Sequence, residues 1–292
     1  MRLFSFTHTL QASPALAGGI CLVLSEVLFA GVGALVKHLS TDLTQAQLVF
    51  FRNVFAFMFL LPWVFRVGVS GLKTSYPGLH LFRSITGLIA MYCFFQVLAN
   101  MPLAPAMMAL LTAPFLVPIV ARIWLKEHIS RITGIAILVG FVGVTLVLEP
   151  DKTDFNIYIW LALICACLVA VNKCSIRKLS GTEPSARIVF YFSGIASVVS
   201  FFPMLFDWTP ISTASWLALI TMGLFATIGQ LFMTKAFQLA SPVKIGLLTY
   251  SSVIFAAILG YVFWQEPVSA GLILGTVLII FAANMTIRQR WL

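Results

Sequence analysis

Apolar runs of about twenty residues follow one another along the whole chain, separated by short polar stretches and punctuated by prolines. Pro14, Pro62, Pro77, Pro150, Pro184, Pro203, Pro210 and Pro242 fall at or near run ends, whereas Pro114 and Pro118 sit well inside one. Proline removes a donor from the helical ladder and marks helix boundaries or bends. A hydrocarbon core takes roughly 17 to 25 helical residues to cross. The pattern predicts ten helical spans over residues 14–37, 47–66, 78–98, 104–124, 132–149, 155–173, 186–206, 214–238, 243–264 and 268–287.

Composition supports this all-α membrane reading. Of 292 residues, 61% are hydrophobic and 9% charged, against about a quarter charged in a soluble domain. The net charge of +9 comes from basic residues scattered singly, which argues for membrane orientation and against a nucleic-acid partner. On the predicted topology fifteen Lys and Arg, Arg66, Arg83, Lys173 and Arg177 among them, share one side, and only Lys37, Arg52 and Lys152 take the other. The positive-inside rule then places both termini in the cytoplasm. Residues 1–13 and 288–292 are expected to be cytoplasmic tails, the first without the apolar core of a cleaved signal. The five cysteines lack a CxxC pair and read as buried free thiols, with no metal or cofactor implied.

The chain also repeats its layout. "NMPLAPAMMALLTAPFLVPIVARIWLKEHIS", residues 100–130, matches "LASPVKIGLLTYSSVIFAAILGYVFWQEPVS", residues 239–269. Each has a proline turn, an apolar helix, an aromatic, then Glu with Ser three residues on. Glu127 and Glu266 stand 139 residues apart, near half the chain. Two five-helix units, 14–149 and 155–287, are expected. An odd helix count inverts the second, which would place Glu127 on the inner side and Glu266 on the outer, a plan secondary transporters use around a mid-membrane site. Both glutamates, at helix ends, read as structural or capping groups.

In their order across both halves, "FFRNVFAF" (50–57), "HLFRSITGLIAMYCFF" (80–95), "PLAPAMMALLTAPFLVPIVARIWLKE" (102–127) and "AFQLASPVKIGLLT" (236–249) resemble the EamA-type transporters of the drug/metabolite transporter superfamily. The resemblance implies a transporter working by alternating access without ATP, and adds weight to Arg52 in "FFRN". It also implies amino acids and related zwitterionic or cationic compounds as substrates, with S-adenosylmethionine or riboflavin uptake as the alternative. Val253 stands where the first copy has Pro114, so the ninth helix is expected to be straighter than the fourth.

One residue breaks the apolar pattern of the first span. In "ICLVLSEVLFAGVG", residues 20–33, Glu26 lies near the centre, where an acid costs on the order of 3 kcal/mol unless it meets water or a partner. Gly19, Glu26, Ala30, Gly33 and Lys37 share one helical face. Two roles stay open for Glu26: binding substrate or a proton, or a structural pair with Arg52, at a depth about 9 Å away. Gly223, Thr227, Gln230 and Thr234 form a second polar stripe that either lines a cavity or bonds helices. Asn172, Tyr92 and Tyr250 are further candidates to line a pocket, and Pro114, Pro118 and Gly33 are candidates for bending or gating.

A membrane-embedded enzyme needs acids or histidines gathered at one depth, but the four histidines lie near span ends. A channel needs a filter motif, and the polar residues form no ring. The expected partners are a small-molecule substrate, the inner-membrane bilayer, and a proton or counter-substrate. The residues do not choose between monomer and homodimer.

Overall fold

The computed structural model describes residues 14–101, 112–148, 157–266 and 269–288. The tails, residues 102–111 with Pro102 and Pro105, the 149–156 connection with Lys152, and Pro267 lie outside these. Among the described residues every regular element is a helix. We label them α1 (Pro14–Leu39), α2 (Gln45–Val67), α3 (Pro77–Asn100), α4 (Ala113–Leu125), α5 (Arg131–Leu148), α6 (Ile157–Leu179), α7 (Ser185–Phe206), α8 (Thr213–Leu239), α9 (Pro242–Trp264) and α10 (Ala270–Arg288). Seven of them, α1, α2, α3, α6, α7, α8 and α9, are long and apolar enough to cross a membrane, and shorter apolar segments occur in α4, α5 and α10.

The boundaries follow local chemistry. Thr44 and Gln47 form a reciprocal capping box that starts α2, and Ser212 accepts from the Ser215 amide to start α8. Pro62 and Pro203 lie inside α2 and α7, close to their C-terminal ends. The largest departure from expectation is α6, which runs on to Leu179 rather than ending at 173. No breaker stands before Ser180 and Gly181, so Lys173 and Arg177 are helical residues and not loop charges.

The two irregular helices differ from expectation as well. Past Pro118, α4 widens into a π-helical turn over Ala121–Leu125. The ninth helix, expected to be straighter than the fourth, has an irregularity of its own: α9 opens with a single turn, Pro242–Ile245, and tightens into a 3-10 stretch, Gly246–Tyr250, before its α-helical part. Glycine at 246 favours that break, since it holds a helix least well after proline. Lys126 and Gln265, each just before a glutamate, take left-handed φ of 56° and 53°. The following amides, of Glu127 and Glu266, then reach back to Ala121 and Gly260 at 3.2 Å.

Packing partners recur with a shift of five helices. α1 packs on α8 and α3 on α6; α9 packs on α1 and α4 on α6; α2 meets α7, and α5 meets α10. Small residues set these contacts: Ser25 donates to the Gly229 carbonyl at 2.9 Å, and a Cβ at Gly19 would lie 2.9 Å from Leu248 Cδ1.

The two ends of the bundle are tied by matching chemistry. At the C-terminal end of α1, Lys37 Nζ meets Glu266 Oε1 at 2.6 Å and lies 5.2 Å from the Trp264 ring. The N-terminal end of α1 lies against Ala236 and Ala240. There Arg177 donates to the Phe237 carbonyl and meets Glu127 Oε1 at 3.7 Å, Ser241 donates to Glu127, and Lys178 lies 5.3 Å from Trp124. Glu127 and Glu266 thus take the structural places expected of them.

Beside the Arg177 pair, the connection before α3 is fastened to the one before α7. Thr74 Oγ1 donates to Glu183 Oε1 at 2.6 Å, Arg187 Nη1 to Glu183 Oε2 at 2.5 Å, and Arg187 Nε to the Gly71 carbonyl at 2.8 Å. Burial of Glu183 favours its neutral form, but the Thr74 hydrogen bond and the Arg187 guanidinium outweigh it and hold its pKa below the usual carboxylate range. A lowered pKa means stability that is complete above the ordinary carboxylate range and is lost as pH falls through the lowered value. Glu183→Gln is therefore expected to lower the thermal midpoint at pH 7, by about 2–4 °C for each kcal/mol lost. It should also flatten the decline on acidification, as followed by thermal denaturation of the purified chain between pH 7 and pH 3.

Candidate functional site

Glu26 turns inward from α1 and lines a cavity of about 190 Å³ between the helices. It is 5% exposed, so it faces neither lipid nor bulk water. The cavity wall is built from α1, α2, α3, α4, α6, α7, α8 and α9, and its polar groups include Glu26, Arg52, Lys173, Gln230 and Thr249. Phe29, Phe94, Phe95 and Phe192 supply its apolar surface. A few polar groups converging in an aromatic-walled pocket are the ordinary makeup of a small-molecule site.

The partner of Glu26 is not the one the sequence suggested. Arg52 lines the same cavity but donates to Asn53 Oδ1 at 2.8 Å. Glu26 instead interacts with the Lys173 ammonium and with the hydroxyls of Thr249 and Ser252. Lys173 Nζ donates to Thr249 Oγ1 at 2.9 Å. The 3-10 stretch of α9 brings Thr249 to this point, so the irregularity of that helix serves the site.

Arg83 backs the wall on the other side. Its Nη2 donates to Gln230 Oε1 at 3.0 Å, and Asn172 Nδ2 donates to its carbonyl at 2.7 Å. The guanidiniums of Arg83 and Arg52 lie 4.4 and 5.6 Å from the centroid of the Phe192 ring. Gly87 makes this corner possible, since a Cβ there would stand 2.7 Å from Phe192 and 2.8 Å from Asn172 Nδ2.

Of the sequence candidates, Glu26, Arg52, Asn172 and Gln230 line one cavity. The others do not. Thr227 spends its hydroxyl on the Gly223 and Ala56 carbonyls at 2.8 and 3.3 Å, joining α8 to α2. Tyr250 packs against Phe115 in a separate apolar cluster with Ala136 and Val253, its hydroxyl buried without a partner. Tyr92 also buries an unpartnered hydroxyl and packs on the main core, its carbonyl accepting from Gln45. Gly33 is buried on α1, Pro114 opens the described part of α4, and Pro118 precedes its π turn, all outside the cavity lining. Arg83 and Lys173, read from sequence as charges at the inner ends of spans, are 1% and 6% exposed inside the bundle.

A multi-pass helical bundle with a charged, aromatic-walled cavity at its centre is the architecture of a small-molecule transporter, not of an enzyme. The chain belongs to the EamA-like transporter family, whose pattern matches residues 16–149 and again 156–288. It is 31% identical over 268 residues to the pseudopaline exporter CntI of Pseudomonas aeruginosa (strain UCBPP-PA14), covering 91% of this chain and 94% of that protein. The riboflavin transporter of Rhizobium johnstonii is 24% identical, covering 96% of this chain and 93% of that protein. The S-adenosylmethionine uptake transporter of Rickettsia prowazekii is 26% identical over 90% of both. One protein of known crystal structure superposes with a TM-score of 0.74 at 17% identity, covering 93% of this chain and 95% of that one, and so shares the fold.

Proposed function

We propose that this protein is a secondary-active transporter that carries a small zwitterionic metabolite across the inner membrane by alternating access. Its substrate site is the cavity lined by Glu26, Arg52, Lys173 and Gln230. The observation that carries this reading is the convergence of opposite charges, from three different helices, on one largely apolar cavity inside a membrane bundle. Charge at that depth is costly unless it serves a substrate or ion path.

The chain is read as ten spans in two inverted five-helix units, 14–149 and 155–287, with both termini cytoplasmic. The five-helix shift in packing partners and the equivalent left-handed turns before Glu127 and Glu266 support that plan. Residues 1–13 and 288–292 are then cytoplasmic tails, and Pro118 with its π turn is the bending element of α4. Similarity to an exporter supports export; uptake of an S-adenosylmethionine- or riboflavin-like compound is the second reading, supported by relatives of those names.

Two measurements test the proposal. A thermal-stabilisation screen of metabolites on the purified chain selects ligands, and the selected compound, radiolabelled, is then followed into proteoliposomes. Saturable, gradient-dependent flux without ATP is expected; flux that does not saturate would assign a channel. Single cysteines placed in the two tails should react with impermeant reagents from the same, cytoplasmic, side. Labelling on opposite sides would end the ten-span reading.

A further inference from the structure

The site holds more positive than negative charge. Arg52 and Lys173 line the cavity and Arg83 stands directly behind it, against the single carboxylate of Glu26. None of the ion pairs among the described residues involves Arg52, Arg83 or Lys173. The two guanidiniums crowd one aromatic ring closely enough to repel each other. Such an arrangement disfavours the empty bundle, because Glu26 is one counter-charge for three cations, it acts on Lys173, and the two guanidiniums are held without one where water is scarce.

The hydrogen-bond inventory of Arg83 sharpens this. A guanidinium offers five N–H donors in a planar fork. In Arg83, Nη2 is engaged by Gln230 Oε1, while Nε and Nη1 are buried with no acceptor. Gln230 itself lines the cavity. An incoming carboxylate that displaces its amide oxygen therefore finds a fork with two vacant prongs, the geometry that a bidentate carboxylate satisfies. Lys173 offers a second, point-like cation in the cavity lining, with one of its three donors already given to Thr249.

We infer that the transported compound is a net anion bearing two separated carboxylates, one held by the Arg52–Arg83 pair over Phe192 and the other by Lys173. Glu26 is left to receive the compound's ammonium group or a proton. This rests on the transporter reading above and narrows its substrate class from zwitterions in general to amino-dicarboxylates and related compounds of net negative charge.

The test uses the purified full-length chain and follows its thermal midpoint at constant ionic strength. The probes are succinate, glutarate, aspartate and glutamate, set against succinamide, glutamine and 1,5-diaminopentane. At least one dicarboxylate is expected to raise the midpoint in a saturable way, with no response to the diamide or the diamine. Arg52→Gln and Arg83→Gln should each weaken that response at least tenfold. Should Arg83→Gln fail to fold, Arg83→Lys keeps the charge, loses the fork, and is expected to bind the same probe roughly tenfold more weakly.

Stabilisation by the diamine, silence from every dicarboxylate, or a dicarboxylate response unchanged in the Arg variants would each overturn the assignment. Saturable flux of a cation in proteoliposomes would do the same while leaving the transporter reading in place. Dicarboxylate binding without any flux would keep the charge assignment and end that reading instead.

Discussion

Glu26→Gln is expected to cut substrate flux in proteoliposomes by roughly 10- to 100-fold, the worth of one hydrogen bond to a charged group, and to abolish it where Glu26 carries a coupled proton. Glutamine has the same size and still meets the Thr249 and Ser252 hydroxyls that face the carboxylate, so the cavity keeps its shape. What disappears is the only negative charge that the described residues bring to the cavity lining. Folded protein should still be recovered, with a thermal midpoint lowered because buried Lys173 loses its counter-charge.

A variant that transports at the parental rate would remove Glu26 from the mechanism. One that no longer folds would make it a structural partner of Lys173. The double-mutant cycle belongs on that pair: Lys173→Gln leaves Glu26 as an unbalanced buried acid, and adding Glu26→Gln should recover much of the lost stability. The same cycle between Glu26 and Arg52 should be close to additive, because Arg52 is bonded to Asn53.

Gly223→Ala should destabilise the chain by about 1–3 kcal/mol, the range for forcing extra volume into a packed contact. An added Cβ falls inside the van der Waals surface of Phe55 Cβ and stands 3.3 Å from the Ala56 amide nitrogen. Neither can yield by a rotamer change, so α2 and α8 must part. Those two helices present Arg52 and Gln230 to the cavity, and ligand affinity should fall with stability. Gly78→Ala is the matching control. Nothing lies within 4 Å of its added Cβ, and alanine holds a helix better than glycine by roughly 0.5–1 kcal/mol. Equal midpoints for the two variants would disprove the close α2–α8 contact.

Helix positions were largely legible because proline and polar stretches interrupt long apolar runs, a signal that tertiary packing cannot reverse. Glu26 was legible for the same reason: an acid amid twenty apolar residues has few physical excuses. Arg83 and Lys173 were missed because each lies within a turn or two of a predicted span end, where lone basic residues usually mark the cytoplasmic face. The periodicity held the information. Arg83 stands one turn before Gly87, which shares its cavity face with Ala90, Met91 and Phe94, and Lys173 follows Val169 and Asn172 on another such face.

The tyrosines misled in the opposite way. Depth in the membrane suited Tyr92 and Tyr250, but depth along a helix says nothing about which side a ring takes. Thr249 could not be placed from sequence, because its position depends on the 3-10 tightening of α9.

The Lys37–Glu266 and Arg177–Glu127 pairs fasten the bundle fore and aft with the same ingredients: one acid, one base and a neighbouring tryptophan. A turnstile with matching catches carries no arrow of its own. If the proposed secondary-active mechanism holds, net traffic through such a molecule is set by the solute and ion concentrations that the cell maintains on either face, and reversing them would drive the same protein backwards.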